Sequence, residues 1–236
     1  MRINKFFTEQ GLCSRREADR LIAEGRVTIN GAVAKLGDQV SPQDLVARDG
    51  LVLQRGNRAV YIKYHKPVGV TTTTERHVRR NIISEIAHTA RIFPIGRLDK
   101  DSSGLILLTN DGDIVNEILR VEHGHEREYR VEVDREFDEA FLSRMAEGVM
   151  IVGVRTRPCT MERLAPRRFR IILTEGRNRQ IRRMCQALGY RVVSLHRVRI
   201  MHITIEGLHA GQWMDLNSEE RGQLFQALGR PIEGAT

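Results

Sequence analysis

The segment Gly96-Arg97-Leu98-Asp99-Lys100-Asp101-Ser102-Ser103-Gly104 puts a carboxylate two residues after an arginine. It runs directly into Leu105-Ile106-Leu107-Leu108 and the turn residues Asn110-Asp111-Gly112. A short apolar run bounded by glycine and Asn-Asp-Gly reads as a buried strand. The polar residues before it therefore form a loop delivered to the strand's entrance. Charge-assisted hydrogen bonds from an arginine such as Arg97 can hold Asp99 ionised and aimed, which suits nucleophilic or base chemistry. Arg-x-Asp pairs on loops are also commonly solvated or structural, so the pair alone leaves both roles open.

A metal-binding reading of the same residues is weaker. Asp99, Asp101 and Ser103 alternate oxygen ligands, and Gly104 and Ile106 follow as in the first half of an EF-hand calcium loop. The twelfth position, however, is Asn110 where a bidentate glutamate is required. The flanks also read as loop and strand instead of two helices, so no metal is expected.

A second chemical cluster lies at Thr174-Glu175-Gly176-Arg177-Asn178-Arg179-Gln180-Ile181-Arg182-Arg183-Met184. Ile181, Met184, Cys185 and Leu188 follow helical spacing and read as core, so Arg177, Arg179, Arg182 and Arg183 crowd the start of a helix. The positive end of the helix dipole disfavours exposed cations by about 0.3–1 kcal/mol each. The arrangement works against folding and makes sense where anions occupy the site.

The rest of the chain supplies the elements that must carry these groups. Its 236 residues allow one substantial core plus a small satellite domain. Lys and Arg outnumber Asp and Glu by 38 to 30, a formal +8, which suggests a polyanionic partner. Cys13, Cys159 and Cys185 are too few and too widely spaced for a disulfide framework or a zinc site. Met1-Arg2-Ile3-Asn4-Lys5 lacks a signal-peptide core, and no run approaches the ~18 apolar residues of a spanning helix. A cytoplasmic protein is expected. Without a heptad or a long exposed apolar stripe, a monomer is the default.

Ser14-Arg15-Arg16-Glu17 fits a capping box opening a helix that Gly25 ends, with Ala18, Leu21 and Ile22 as its buried stripe. Arg16 and Arg20 share a face one turn apart, with Arg15 beside them, a spacing suited to phosphates. Arg26-Val27-Thr28-Ile29 and Asn30-Gly31 then signal a hairpin. Further on, Val60, Ile62 and Tyr64 alternate inward on a strand ending in a Lys66-Pro67-Val68-Gly69 turn, where Pro67 and Gly69 have ordinary backbone roles. Helices are expected around 81–88, 113–119 and 138–147, and strands at 128–133 and 169–173. Strands and helices thus mix without a regular βαβ repeat. An α+β fold on a largely antiparallel mixed sheet follows.

The first fifty residues resemble the alpha-L (S-four type) RNA-binding domain, through Gly11, Ser14-Arg15-Arg16, Ala18-Asp19, Ile22, Gly25-Arg26-Val27, Asn30-Gly31, Gly37-Asp38-Gln39-Val40 and Asp44. The resemblance implies RNA contacts from Arg15, Arg16 and Arg26, and Arg20 shares their surface. Such a domain positions RNA without reading its bases.

Gly96-Arg97-Leu98-Asp99, Ser103-Gly104-Leu105 and Leu107-Leu108-Thr109-Asn110-Asp111-Gly112 resemble the signature segment of the RsuA/RluB/RluE/RluF family of ribosomal RNA pseudouridine synthases. Glu126-Arg127-Glu128-Tyr129 resembles the family's basic-x-Tyr element, and Glu175 to Met184 its third motif. With Arg199-Ile200-Met201 the pattern looks closest to the RluF branch. The resemblance implies Asp99 as the catalytic residue, Tyr129 packed on the target base and Ile181 packed at the site, where plain core packing is the ordinary alternative. Arg182 is implied to pair with Asp99. Arg97 would fill the stack vacated by a flipped nucleotide, hold a phosphate, or orient the loop. Arg177, Arg179 and Arg183 are expected to bind RNA.

The division implied is an RNA-binding domain at 1–54, a linker at 55–59, a catalytic domain at 60–230 and a short tail at 231–236. The activity implied is conversion of uridine to pseudouridine without a cofactor, in a stem-loop of 23S rRNA of the large subunit. Alternatives are a noncatalytic RNA-binding or assembly factor on the same scaffold, or a family member acting on 16S rRNA or tRNA. Retention of Asp99 with its arginine and tyrosine argues against the noncatalytic alternative.

Overall fold

The computed structural model describes residues 1–53, 59–75 and 77–231. The expected linker at 55–59 lies outside them except for Ala59, as does the expected tail except for Pro231. The chain divides into two compact units. The first holds residues 1–60 with two short returns at 88–92 and 109–112, and the second holds the remainder.

In the first unit α1 (Ile3–Glu9) and α2 (Arg15–Ala23) pack beside a four-stranded sheet of β1 (Val27–Ile29), β2 (Ala32–Val33), β3 (Val46–Arg48) and β4 (Leu51–Val52), ordered β2-β1-β3-β4. Ile3, Phe6 and Phe7 of α1 meet Ala18, Leu21 and Ile22 of α2 over Val27 and Val46. Burial of such side chains contributes about 1.5–3 kcal/mol each. Ser14 caps α2 by accepting from the Glu17 backbone N–H at 3.1 Å. The other half of the expected capping box is replaced, because the Glu17 carboxylate accepts from Arg20 at 2.6 Å. A complete box forms instead at Asn217 and Glu220, a pair the sequence pattern had not singled out. Asn30 and Gly31 both take positive φ and join β1 to β2 with Ile29 opposite Ala32, as a two-residue hairpin requires.

The second unit contains β5 (Tyr61–Lys66), α3 (Ile82–Ile86), β6 (Phe93–Ile95), β7 (Ser103–Thr109), α4 (Gly112–Leu119), β8 (Arg127–Val133), α5 (Glu139–Ala146) and the short pair β9 (Met150–Ile151) and β10 (Val154–Arg155). They are followed by β11 (Thr160–Ala165), β12 (Arg168–Leu173), α6 (Gln180–Ala187), β13 (Val192–Ile200), β14 (Ile203–Thr204), β15 (Trp213–Asp215) and α7 (Ser218–Ala227). The main sheet runs β11-β12-β8-β13-β7-β5-β15, with β14 on β13 and β6 on β7. The pairs from β11 through β13 and the β5–β15 pair are antiparallel, whereas β13 and β7 are parallel. The α+β class with a largely antiparallel mixed sheet is thus realised.

Helices α5 and α6 lay Phe141, Met145, Ile181, Met184 and Cys185 on Val131, Val133, Phe169 and Ile171 of the sheet. β7 is buried from Gly104 to Thr109. β5 does not alternate as expected, since Tyr61 and Lys63 are buried together with Ile62 and Tyr64. A strand inside the sheet and covered on both faces loses the period-two signature. Among the described residues no helix is long and apolar enough to cross a membrane.

Candidate active site

The loop before β7 is held from behind by the strand and turn that precede it. Thr72 Oγ1 donates to the Leu98 carbonyl at 2.7 Å and accepts from the Leu98 N–H at 3.3 Å. Gly69 N–H donates to the Lys100 carbonyl at 2.7 Å. Lys66, with no exposed surface, donates through Nζ to the carbonyls of Pro67 and Ser102 at 2.9 and 2.8 Å. Burial pulls Lys66 down to about 8, with the carboxylates of Asp101 and Asp99 acting in the opposite direction. In the sequence Lys66 reads as part of a turn. Its position under the loop is a contact between segments 36 residues apart, which no local pattern reports.

Loop, sheet and α6 enclose a cavity of about 490 Å³. Asp99, Arg97, Tyr129, Ile181 and Arg182 all line it, so five residues from three separate segments, the loop before β7, β8 and α6, converge as the sequence implied. Asp99 is partly exposed at this cavity, while Arg97 is exposed and has no side-chain partner among the described residues. Tyr129 is half-buried and packs at the border of the core. Ile181 satisfies both of its readings, being 4% exposed in the core and at the cavity wall.

The partner of Asp99 differs from expectation. Arg179 Nη1 lies 3.2 Å from Asp99 Oδ2, and its Nη2 lies 3.1 Å from Asp101 Oδ2. Arg182, expected on Asp99, donates from Nη2 to the Asp101 carbonyl at 3.0 Å and to Ser102 Oγ at 3.1 Å, and from Nη1 to the Val192 carbonyl at 3.3 Å. It also stands 3.4 Å from the Asp101 carboxylate. Burial pushes the Asp101 carboxyl upward, but the Arg179 hydrogen bond and the charge of Arg182 outweigh it and leave the group below its ordinary value. Asp99 and Asp101, the first two ligands of the discarded calcium reading, thus carry a guanidinium between them.

The exchange has a backbone cause. Arg179 is the N-cap of α6 at φ +51°, ψ +34°, the left-handed region that favours glycine, at a cost of about 1–2 kcal/mol for an ordinary residue. That turn is secured by Glu175, which is almost fully buried and accepts from Arg157 N–H, Arg177 Nε and Gln180 Nε2 at 2.9, 3.1 and 2.8 Å. Arg177 therefore has one face tied to Glu175, and Arg183 donates to Asn178 at 2.9 Å.

Two further arginines line the cavity beyond those expected there: Arg127, present in the sequence only as the basic member of the basic-x-Tyr element, and Arg197. Arg127 and Arg197 are 7% and 3% exposed. They sit on adjacent strands, with Arg197 opposite Tyr129 and Ile200 opposite Arg127. The available signal was charge in an otherwise apolar row, since Arg127 and Tyr129 share a face of β8 with the core residues Val131 and Val133.

In the first unit Arg15, Arg16, Arg20 and Arg26 are all exposed. Arg26 is engaged with Asp49 at 2.8 and 2.7 Å, and Arg20 with Glu17. Arg15 and Arg16 have no carboxylate partner among the described residues.

Residues 60–187 match the RNA pseudouridylate synthase family, and residues 1–46 match the S4 domain. The chain is similar to the dual-specificity RNA pseudouridine synthase RluF of Escherichia coli (strain K12), with 48% identity over 97% of this chain and 79% of that protein. It is 33% identical to the ribosomal large subunit pseudouridine synthase B of Bacillus subtilis (strain 168), covering 93% of each chain. A crystal structure of a pseudouridylate synthase superposes with a TM-score of 0.70 at 30% identity, over 95% of this chain and 99% of the other. With an S4 domain ahead of its catalytic region, this chain belongs to the RNA pseudouridylate synthase family, whose reaction isomerises uridine to pseudouridine in RNA.

Proposed function

We propose that the chain modifies a uridine in ribosomal RNA, in a stem-loop of the 23S rRNA, working as a cytoplasmic monomer with no cofactor. The observation that carries this reading is Asp99 at the mouth of the cavity that also holds Tyr129, in a chain 48% identical to RluF. The names of the relatives, one of them a large-subunit enzyme, support the choice of RNA.

The reaction breaks the bond from ribose C1′ to uracil N1, turns the base and joins C5 to C1′. Asp99 begins it by adding to uracil C6, by attacking C1′, or by taking the 2′-proton. A base in folded RNA is out of reach of any of these, so the nucleotide is flipped at a cost of a few kcal/mol of lost stacking. Tyr129 then packs on the base, Ile181 closes the apolar side, and Arg182 fixes the loop that carries Asp99. Arg97, Arg177 and Arg179 at the rim, with Arg183 on α6 outside the cavity lining, meet the backbone phosphates, while Arg15 and Arg16, with Arg20 and Arg26 nearby, grip RNA from the S4 domain.

The test is pseudouridine mapping of ribosomal and transfer RNA from cells with the wild-type chain, without it, and with Asp99→Asn. One ribosomal pseudouridine is expected to vanish in both deficient strains, while purified Asp99→Asn binds the RNA within about threefold of wild type. Wild-type modification by Asp99→Asn, or a loss confined to transfer RNA, refutes the assignment.

A further inference from the structure

Arg127 and Arg197 are the feature of this cavity that the site so far described leaves unused. Neither has a carboxylate partner among the described residues. Arg197 Nε donates to the Leu105 carbonyl at 2.7 Å, while its Nη2 is buried with no hydrogen-bond partner. Arg127 donates from Nη2 to the Ile118 carbonyl at 3.0 Å. Burying a charge costs several kcal/mol unless an opposite charge or full hydrogen bonding offsets it. Here two like charges are buried on neighbouring strands, and burial together with the charge of Arg197 disfavours the charged form of Arg127. Such an arrangement is stable only at a cost, and it is complementary to an anion in the cavity.

Depth distinguishes which anion. The rim arginine Arg179 is 42% exposed, within reach of a phosphodiester that stays on the RNA backbone. Arg197, at 3% exposed, is far more enclosed, and its guanidinium carbon lies 6.0 Å from the centroid of the Tyr129 ring. The part of a flipped nucleotide that goes deepest is the base.

We propose that Arg197, supported by Arg127, supplies fixed positive charge to the pyrimidine as negative charge develops on its oxygens. The inference rests on the assignment of Asp99 and Tyr129 above. It holds for each of the three openings. Addition of the carboxylate to C6 moves the C5=C6 electron pair onto O4, and C1′–N1 then breaks with its electron pair staying on the N1 of the adduct. The other two break C1′–N1 with its electron pair leaving on uracil, while C1′ either bonds the Asp99 oxygen or becomes part of a glycal after the 2′-proton is lost. In each case C5 then takes the bond to C1′ and gives up its proton. The carboxylate is released, or C2′ regains its proton. A preorganised donor in a site closed to water acts on such charge far more strongly than it does in solution.

The test compares two transcripts spanning the uridine mapped in cells, one made with uridine and one with 5-fluorouridine. Fluorine at C5 stabilises the pyrimidine anion by itself and so replaces part of what Arg197 provides. Consumption of the N-glycoside under single-turnover conditions is followed by nucleoside mass spectrometry. For Arg197→Gln the expected loss is about 100-fold or more on uridine and less than about tenfold on 5-fluorouridine, with the Kd for RNA within about threefold. Equal losses on both transcripts, or a loss confined to Kd as for a phosphate contact, overturn the proposal. If Arg197→Gln does not fold, Arg197→Lys keeps the charge without the planar fork. It is expected to show the same inequality at smaller size, and equal losses again overturn it. Asp99→Asn in the same assay separates the two ideas, since activity there refutes the parent assignment whatever the Arg197 ratio.

Discussion

Arg179 reaches Asp99 across 80 positions of sequence, with Nη1 3.2 Å from Oδ2, while Arg182 one turn along the same helix holds the backbone of the loop instead. The two arginines therefore have separable effects. Arg179→Gln removes a partly exposed ion pair, and kcat at saturating RNA should fall by about tenfold, a gap that narrows as salt screens the pair in the wild type. Arg182→Gln removes hydrogen bonds from a mostly buried guanidinium, each charged bond being worth about 1.5–3 kcal/mol. It should cost about 100-fold in kcat and lower Tm as well. Rate measurements from 50 to 300 mM salt with a thermal melt of each variant check both.

Gly104 makes a second prediction. It lies at φ +113° directly opposite Arg197, where β7 runs parallel to β13, and a Cβ there would come within 2.2 Å of the Arg197 carbonyl oxygen. Gly104→Ala forces the strands apart or breaks their pairing, and should destabilise by about 2–4 kcal/mol. Urea unfolding reads this directly, and the activity of whatever remains folded should fall.

For the S4 domain, the unengaged pair Arg15 and Arg16 should matter more to RNA than the engaged Arg26. Replacing both by glutamine should weaken binding and reduce the slope of log K against log salt by about 1.5. Arg26→Gln should instead leave that slope nearly unchanged and lower stability modestly, because its bidentate bond to Asp49 is lost. Salt titrations of RNA binding distinguish these outcomes.

Lys66 gives a pH dependence with a definite sign. Burial lowers it from 10.5 to about 8 in the folded chain, so between these values the unfolded chain binds the proton more tightly. Charged Lys66 therefore costs stability below about pH 8, and the cost is relieved as pH rises toward 10.5. Against Lys66→Met, wild-type stability should gain on the order of 1–3 kcal/mol between pH 7.5 and 10. Chemical denaturation across that range would detect it, and a flat difference would refute the burial of a charged lysine.

Much of this site was readable along the chain because its parts carry local chemistry. Ser14 and Asn30-Gly31 act on backbone groups within three residues, and each performs the role its type suggested. The convergence of Asp99, Tyr129 and Ile181 followed from motifs, since spacing alone does not join residues 30 to 82 positions apart. What escaped was tertiary. Arg179 displaced Arg182 because a left-handed backbone turn redirects its side chain, and sequence offers no sign of φ at a non-glycine position. Lys66 stands in the sequence as part of a turn and Glu175 as part of a motif, and nothing local shows that each is buried as a hydrogen-bonding hub for a neighbouring loop.

The crossing of Gly104 with Arg197 has a bearing on engineering. The carboxylate-bearing loop and the basic sheet meet there backbone to backbone, so their separation is fixed by main-chain geometry and not by any tunable side chain. Grafting the loop onto another scaffold would need a hydrogen at that crossing before any choice of reactive groups could succeed. Conversely, rim residues other than Arg179, which is paired with Asp99, can be redesigned for a different RNA without altering the reach of the carboxylate.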